Sequence, residues 1–214
     1  FDRQVPAEHR RSPLTNIGEV LRDRNFNIYT VLSGLLNVGQ TNFYGFLTLF
    51  LTEAVRVSQP MAGVAMGLAQ ASSALARVGW GMVSDKAFGG RRAVLKAWIC
   101  GVSVVLLVFM AWVGAGELWL ALALTAGLGM TIASFAPISQ AIAVEAVPRR
   151  LAGSAMGCNM VGVHIGGFLG PVMFGAAMDA MNGDFTAGWI VSALATGLGV
   201  VLLIFAFREG QPPE

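Results

Sequence analysis

Between Gly81 and Arg92 the chain sets one carboxylate, Asp85, among Lys86, Arg91 and Arg92, with Gly89 and Gly90 between them. The stretch joins two long apolar segments, and ionisable side chains inside membrane segments are rare and functional by default. One acceptor crowded by donors can pin two helix ends together and then release them. Glu145, at the end of a later apolar segment, is the natural partner for Arg91 or Arg92. The plainer reading is a basic loop that only sets orientation, with Glu145 solvated at a helix end.

Other polar side chains fall inside apolar segments. Arg77 lies two turns before Asp85 and shares a helical face with Gln70, Ser73 and Gly81. At about 8 Å from its segment's midpoint, taking 1.5 Å per residue, it can brace the Gly81–Arg92 joint from within. It can equally hold an anion through its planar guanidinium. His164 falls mid-segment, and an imidazole can take up and release a proton, so it is a candidate proton carrier or a hydrogen-bonded packing residue. Asn37, Gln40, Thr41 and Tyr44 form a polar strip on one segment, and Ser134 and Gln140 lie on another near Pro137. Such strips line a wet cavity or make interhelical hydrogen bonds, the latter worth only about 0.6 kcal/mol each.

The elements that position these residues follow from composition. Of 214 residues, 55% are hydrophobic and 12% charged, against about 25% charged in a soluble domain. An all-α membrane protein is expected. A spanning helix needs about 20 mostly apolar residues, and six such segments are read at 28–52, 60–83, 93–115, 118–146, 151–178 and 185–207. Residues 1–25 form a polar approach segment with a short surface helix around Ile17–Arg24, residues 26–207 the six-helix unit, and 208–214 a tail. Pro137 predicts a kink in the fourth segment. Segments 3 and 6 carry few polar residues and are expected to face lipid, while 1, 2, 4 and 5 line an interface or a wet cavity. Arginine and lysine cluster before the first segment, after the second as Lys86, Arg91, Arg92 and Lys96, and after the fourth and sixth, which places both termini in the cytoplasm. A net charge of +2 carries no nucleic-acid signal. Two cysteines and two histidines, far apart, supply neither a disulfide framework nor a metal site. No cofactor is expected.

The order Gly81, Asp85, Lys86, Gly90, Arg91, Arg92 resembles the signature loop of the major facilitator superfamily, with about two extra residues between Lys86 and Arg91. A second match is Glu145, Pro148, Arg149, Arg150, Gly153, Ser154 and Gly157 across the next basic joint, where Ala152 stands in place of the family's arginine. Gly162, Gly166 and Gly170, followed by Pro171, resemble the small-residue packing face of the family's fifth helix, which packs between two halves. The resemblance implies one half of a major-facilitator bundle, read as the C-terminal six helices of an inner-membrane protein. Its partners are then a small solute, the lipid bilayer and an N-terminal six-helix half. It implies secondary transport by alternating access, as a proton-coupled symporter or antiporter or as a uniporter or exchanger. Asn37, Gln40, Thr41, Tyr44, Arg77, Ser134, Gln140 and His164 are the pathway candidates. With no leader before Phe1, the chain reads as part of a longer protein.

Two other classes compete with transport. An oligomeric channel or membrane scaffold fits six glycine-rich spans but leaves the Gly81–Arg92 pattern without a role. An intramembrane serine protease needs a nucleophile beside His164. Ser33 precedes Gly34 but follows Val31 and Leu32, and Ser154 lacks the rest of the setting, so catalytic residues are not assigned.

Overall fold

The computed structural model of the chain describes residues 13–87 and 92–208. Its helices are α1 (Pro13–Arg22), α2 (Arg24–Glu53), α3 (Gln59–Ala87), α4 (Arg92–Met110), α5 (Leu118–Met130), α6 (Ala136–Glu145), α7 (Ala152–Ala180) and α8 (Phe185–Phe205), with a 3₁₀ turn at Arg149–Leu151 before α7. α1 is the expected surface helix. α2 starts earlier than the apolar pattern suggests because Asp23 caps it, accepting from the N–H groups of Asn25 at 2.8 Å and Phe26 at 3.2 Å.

Among the described residues, three helices are long and apolar enough to cross a membrane by length and composition: Arg92–Met110, Arg149–Ala180 and Phe185–Phe205. α2 and α3 have the reach, about 45 and 44 Å at 1.5 Å per residue, but their polar residues dilute the apolar signal. The fourth expected segment is divided. Pro137 sits in the first turn of α6, and the chain between α5 and α6 is a series of turns over residues 131–134. The expected kink is therefore a full break.

α2 is the hub, flanked by α7 and α8. Its contact with α7 is made backbone to backbone. A methyl group on Gly34 would stand 2.7 Å from the Gly162 carbonyl oxygen, and one on Gly166 would overlap the Gly34 carbonyl. One on Gly170 would lie 2.9 Å from Asn42 Oδ1. Lipid supplies no hydrophobic drive between helices, so this close approach is the stabilising contact. The glycine stripe thus seats α7 on α2 within this bundle rather than across a boundary with another half. α7 continues through Pro171. One turn on, Phe174 stacks on Phe46 at 4.0 Å and meets Trp189 edge-on at 5.1 Å.

The joints fall at two ends. At one end the Gly116 N–H donates to the Val55 carbonyl at 3.1 Å, and Thr186 Oγ1 to the Ala111 carbonyl at 3.1 Å. That end also holds the turn at Asn182 and Gly183, whose φ values of 56° and 88° end α7. At the opposite end Arg150 pairs with Glu19, Arg92 with Glu145, and the Arg208 N–H donates to Asn25 Oδ1 at 2.9 Å. The basic joints therefore share one end, as the charge pattern requires.

Only 17% of the apolar stretch of α7 is buried, against 39% for α4 and 44% for α8. α7 presents Val161, Ile165, Phe168 and Val172 outward, and α3 leaves Gly63, Gly67, Gln70, Ala74, Arg77 and Gly81 exposed along one side. α3, through small and polar residues, and α7, through apolar ones, thus form open faces of the unit. α4 and α8 expose Trp98, Val105, Leu198 and Phe205, an apolar surface suited to lipid.

Candidate functional site

The break between α5 and α6 organises the site. In an unbroken helix the N–H of residue 137 would donate to the carbonyl of Ala133, but proline has no N–H. That carbonyl instead accepts from three side chains on two other helices. Ser73 Oγ donates at 2.9 Å, Arg77 Nη2 at 3.2 Å and Gln40 Nε2 at 3.3 Å. One turn earlier the Met130 carbonyl takes Trp80 Nε1 at 2.7 Å, and the same nitrogen reaches Ser134 Oγ at 3.0 Å. Close by, Tyr44 donates to Gln70 Oε1 at 3.2 Å between α2 and α3. Irregular backbone within a membrane bundle survives only where protein or a wet cavity satisfies it. Broken helices of this kind commonly mark solute sites near the midplane.

Four sequence candidates meet here: Gln40, Tyr44, Arg77 and Ser134, with Gln70 and Ser73 beside them. Arg77 braces the break through the Ala133 carbonyl, and it stays exposed. The remaining candidates lie elsewhere. Asn37 Nδ2 donates to the Val163 carbonyl at 2.8 Å and to Thr41 Oγ1 at 3.3 Å, so this part of the strip meets α7. His164 faces outward on α7 with Nδ1 2.7 Å from the Met160 carbonyl of the previous turn. Gln140 is half-buried on α6.

The expected loop is shorter than read. α3 runs on through Gly81, Asp85 and Lys86 to Ala87, and α4 begins at Arg92. Gly90 and Arg91, and the side chains of Asp85 and Lys86, lie outside the described residues. Arg92 Nη1 pairs with Glu145 Oε1, as the charge reading required, tying the start of α4 to the end of α6.

Lys96 is the residue that sequence reasoning misplaced. Counted there among the joint's basic residues, it is fully buried. Its Nζ donates to Tyr29 Oη at 2.9 Å and Ser139 Oγ at 2.8 Å, and it stands 4.5 Å from the Tyr29 ring centroid. Tyr29 in turn donates to the Ser139 carbonyl at 2.7 Å. The network joins α2, α4 and α6 one turn inside the Arg92–Glu145 pair. The signal was present in the helical phase: Lys96, Ile99, Cys100, Ser103 and Leu107 share the buried face of α4.

The fold and site define a polytopic helical membrane protein with a polar-lined break between α5 and α6. The sequence pattern of the Major Facilitator Superfamily matches residues 4–214, and the chain belongs to that family. It is 26% identical over 167 residues to an uncharacterized MFS-type transporter, YqjV, of Bacillus subtilis, covering 77% of this chain and 38% of that protein. Crystal structures of the Escherichia coli fucose:proton symporter FucP superpose with a TM-score of 0.73 at 16% identity, covering 92% of this chain and 46% of that one. FucP in its outward conformation gives 0.72 at 17%, covering 91% and 45%. The fold is common to these proteins, and the chain spans less than half the length of each.

Proposed function

We propose that this chain is one six-span bundle of a secondary transporter that carries a small polar solute by alternating access. α2, α3, α4, the divided α5–α6, α7 and α8 are the six crossings. The observation that carries the reading is the break at residues 131–135, whose orphan carbonyl gathers Gln40, Ser73 and Arg77 in the middle of the bundle. The open faces of α3 and α7 are suited to a second six-helix bundle, the N-terminal half, which would close the cavity from the other side. The end bearing Arg92, Arg149, Arg150 and Arg208 is then cytoplasmic, with both termini, in an inner membrane. Symport with protons, as named for FucP, is the coupling that this reading adopts. No carboxylate lies within the apolar core of any span, so an acidic proton carrier falls to the other half.

In this reading Asp85, the acid of the signature-loop pattern, serves one of the two access states. Removing a state-specific contact shifts the equilibrium by its differential free energy. Asp85→Asn in the full-length transporter is expected to cut solute exchange in proteoliposomes about tenfold, as loss of about 1.4 kcal/mol in one state implies. Membrane insertion and yield should be unchanged. Exchange at the unmutated rate would reduce the Asp85 joint to an orientation signal.

A further inference from the structure

We propose that the solute is a small anion, a carboxylate or a phosphate, held by the Arg77 guanidinium on the open face beside the α5–α6 break. This rests on the transport reading above and names the substrate class of its site.

Around the break the protein supplies more donors than acceptors. Three side chains converge on the single carbonyl of Ala133, which has two lone pairs. Arg77 uses one N–H there at 3.2 Å, and a guanidinium has five, arranged to meet two oxygens at once. Gln70 has its oxygen engaged by Tyr44 at 3.2 Å, which leaves its amide N–H groups on the same exposed side of α3, two turns from Arg77. Met130 and Ser134, on the broken segment, already take the Trp80 indole N–H, and Gln40 Oε1 is one acceptor against the N–H groups that Arg77 and Gln70 keep. A ligand that fits must bring acceptors.

Charge points the same way. Two basic side chains lie well inside the described helices, Arg77 and Lys96. Lys96 is sealed among Tyr29, Ser139 and Phe135, so it cannot reach a solute. Every acid of the described helices is at or near a helix end: Glu53 closes α2, Glu145 closes α6, Asp85 and Asp179 fall in the last turns of α3 and α7, and Glu19 is on the surface helix α1. Among the described residues Arg77 has no carboxylate partner. A cavity lined by one sign of charge with apolar walls concentrates the opposite sign. A neutral sugar would find donors here but nothing to offset the guanidinium.

The test uses the purified full-length transporter and four probes, lactate, succinate, inorganic phosphate and fucose, read by ligand-induced thermal stabilisation and by exchange in proteoliposomes. A ligand raises stability according to its concentration relative to its dissociation constant. At least one of the three anions should stabilise the protein and exchange, and fucose should do neither. Which anion responds separates carboxylate from phosphate. Arg77→Gln should weaken that anion by about 10- to 100-fold, the range expected for losing one or more charge-assisted hydrogen bonds. Arg77→Lys, which keeps the charge but not the fork, should be intermediate. Ser73 and Gln40 still cap Ala133 in both variants, so the unliganded melting temperature should hold. Gln70→Leu, which leaves the break untouched, should weaken the same anion by a smaller factor. Stabilisation by fucose alone, no response to any anion, or an anion response unchanged in Arg77→Gln would overturn the assignment. Fucose exchange with an inert anion panel would leave the transport reading standing. Absence of exchange with every probe, in a protein that still binds an anion through Arg77, would instead count against transport and spare the anion site.

Discussion

Gly166→Val is expected to keep α7 from seating on α2. The added carbons would occupy the space of the Gly34 backbone, which neither a rotamer change nor a side-chain shift can vacate. Ordinary overpacking costs about 1–3 kcal/mol; here the obstacle is backbone, so a loss at or above the upper end of that range is expected. The reading is the melting temperature and monodispersity of the detergent-solubilised full-length protein. Gly157→Val is the control, because nothing lies within 4 Å of a methyl group added there. A large loss at residue 166 with little change at 157 supports the packing. Equal melting of the two variants would contradict it.

The second large effect is expected at Lys96. Lys96→Ala removes a long, fully buried side chain from the junction of α2, α4 and α6 and should cost about 2–5 kcal/mol, the range for emptying a core site of similar size. Lys96→Met fills the same space without the polar head. Tyr29 and Ser139 keep their mutual bond at 2.7 Å, and apolar replacement of a buried basic group is often neutral or stabilising. The methionine variant should therefore melt within a few degrees of the parent. If it melts as low as the alanine variant, the hydrogen bonds rather than the volume hold the junction. If alanine costs nothing, Lys96 is not the sealed residue described.

The contrast between these residues marks what the sequence could convey. The four-residue spacing of Gly162, Gly166 and Gly170 announced a close helix contact, but spacing cannot name the partner. Gly34 on α2 had no glycine pattern of its own to give it away. Pro137 announced a disturbance in the fourth span for a reason local to proline. Its consequence, three donors from α2 and α3 meeting at Ala133, depends on tertiary placement and was legible only as separate polar strips. Asn37 and Thr41, on the same strip as Gln40, turn to α7 because successive residues on a helix diverge by about 100°. Lys96 was read as a loop charge because its distance from Arg91 and Arg92 along the chain is short. One helical turn carries it from the polar edge into the core. The second apolar segment is read only to residue 83, yet no glycine or proline falls between Met82 and Phe88, and α3 runs on to Ala87.

The account as a whole rests on alternating access, and cysteine reactivity at Gln70 tests it most directly. In the full-length transporter with Cys100 and Cys158 replaced by serine, Gln70→Cys places one thiol on the exposed polar side of α3. An impermeant maleimide is applied to right-side-out and to inverted membrane vesicles. The account predicts modification from both sides, and Asp85→Asn should raise the rate from one side while lowering it from the other, because the two access states are populated at each other's expense. Modification from a single side would contradict it. So would rates from both sides that Asp85→Asn leaves unchanged, which is the behaviour of a permanently open pore.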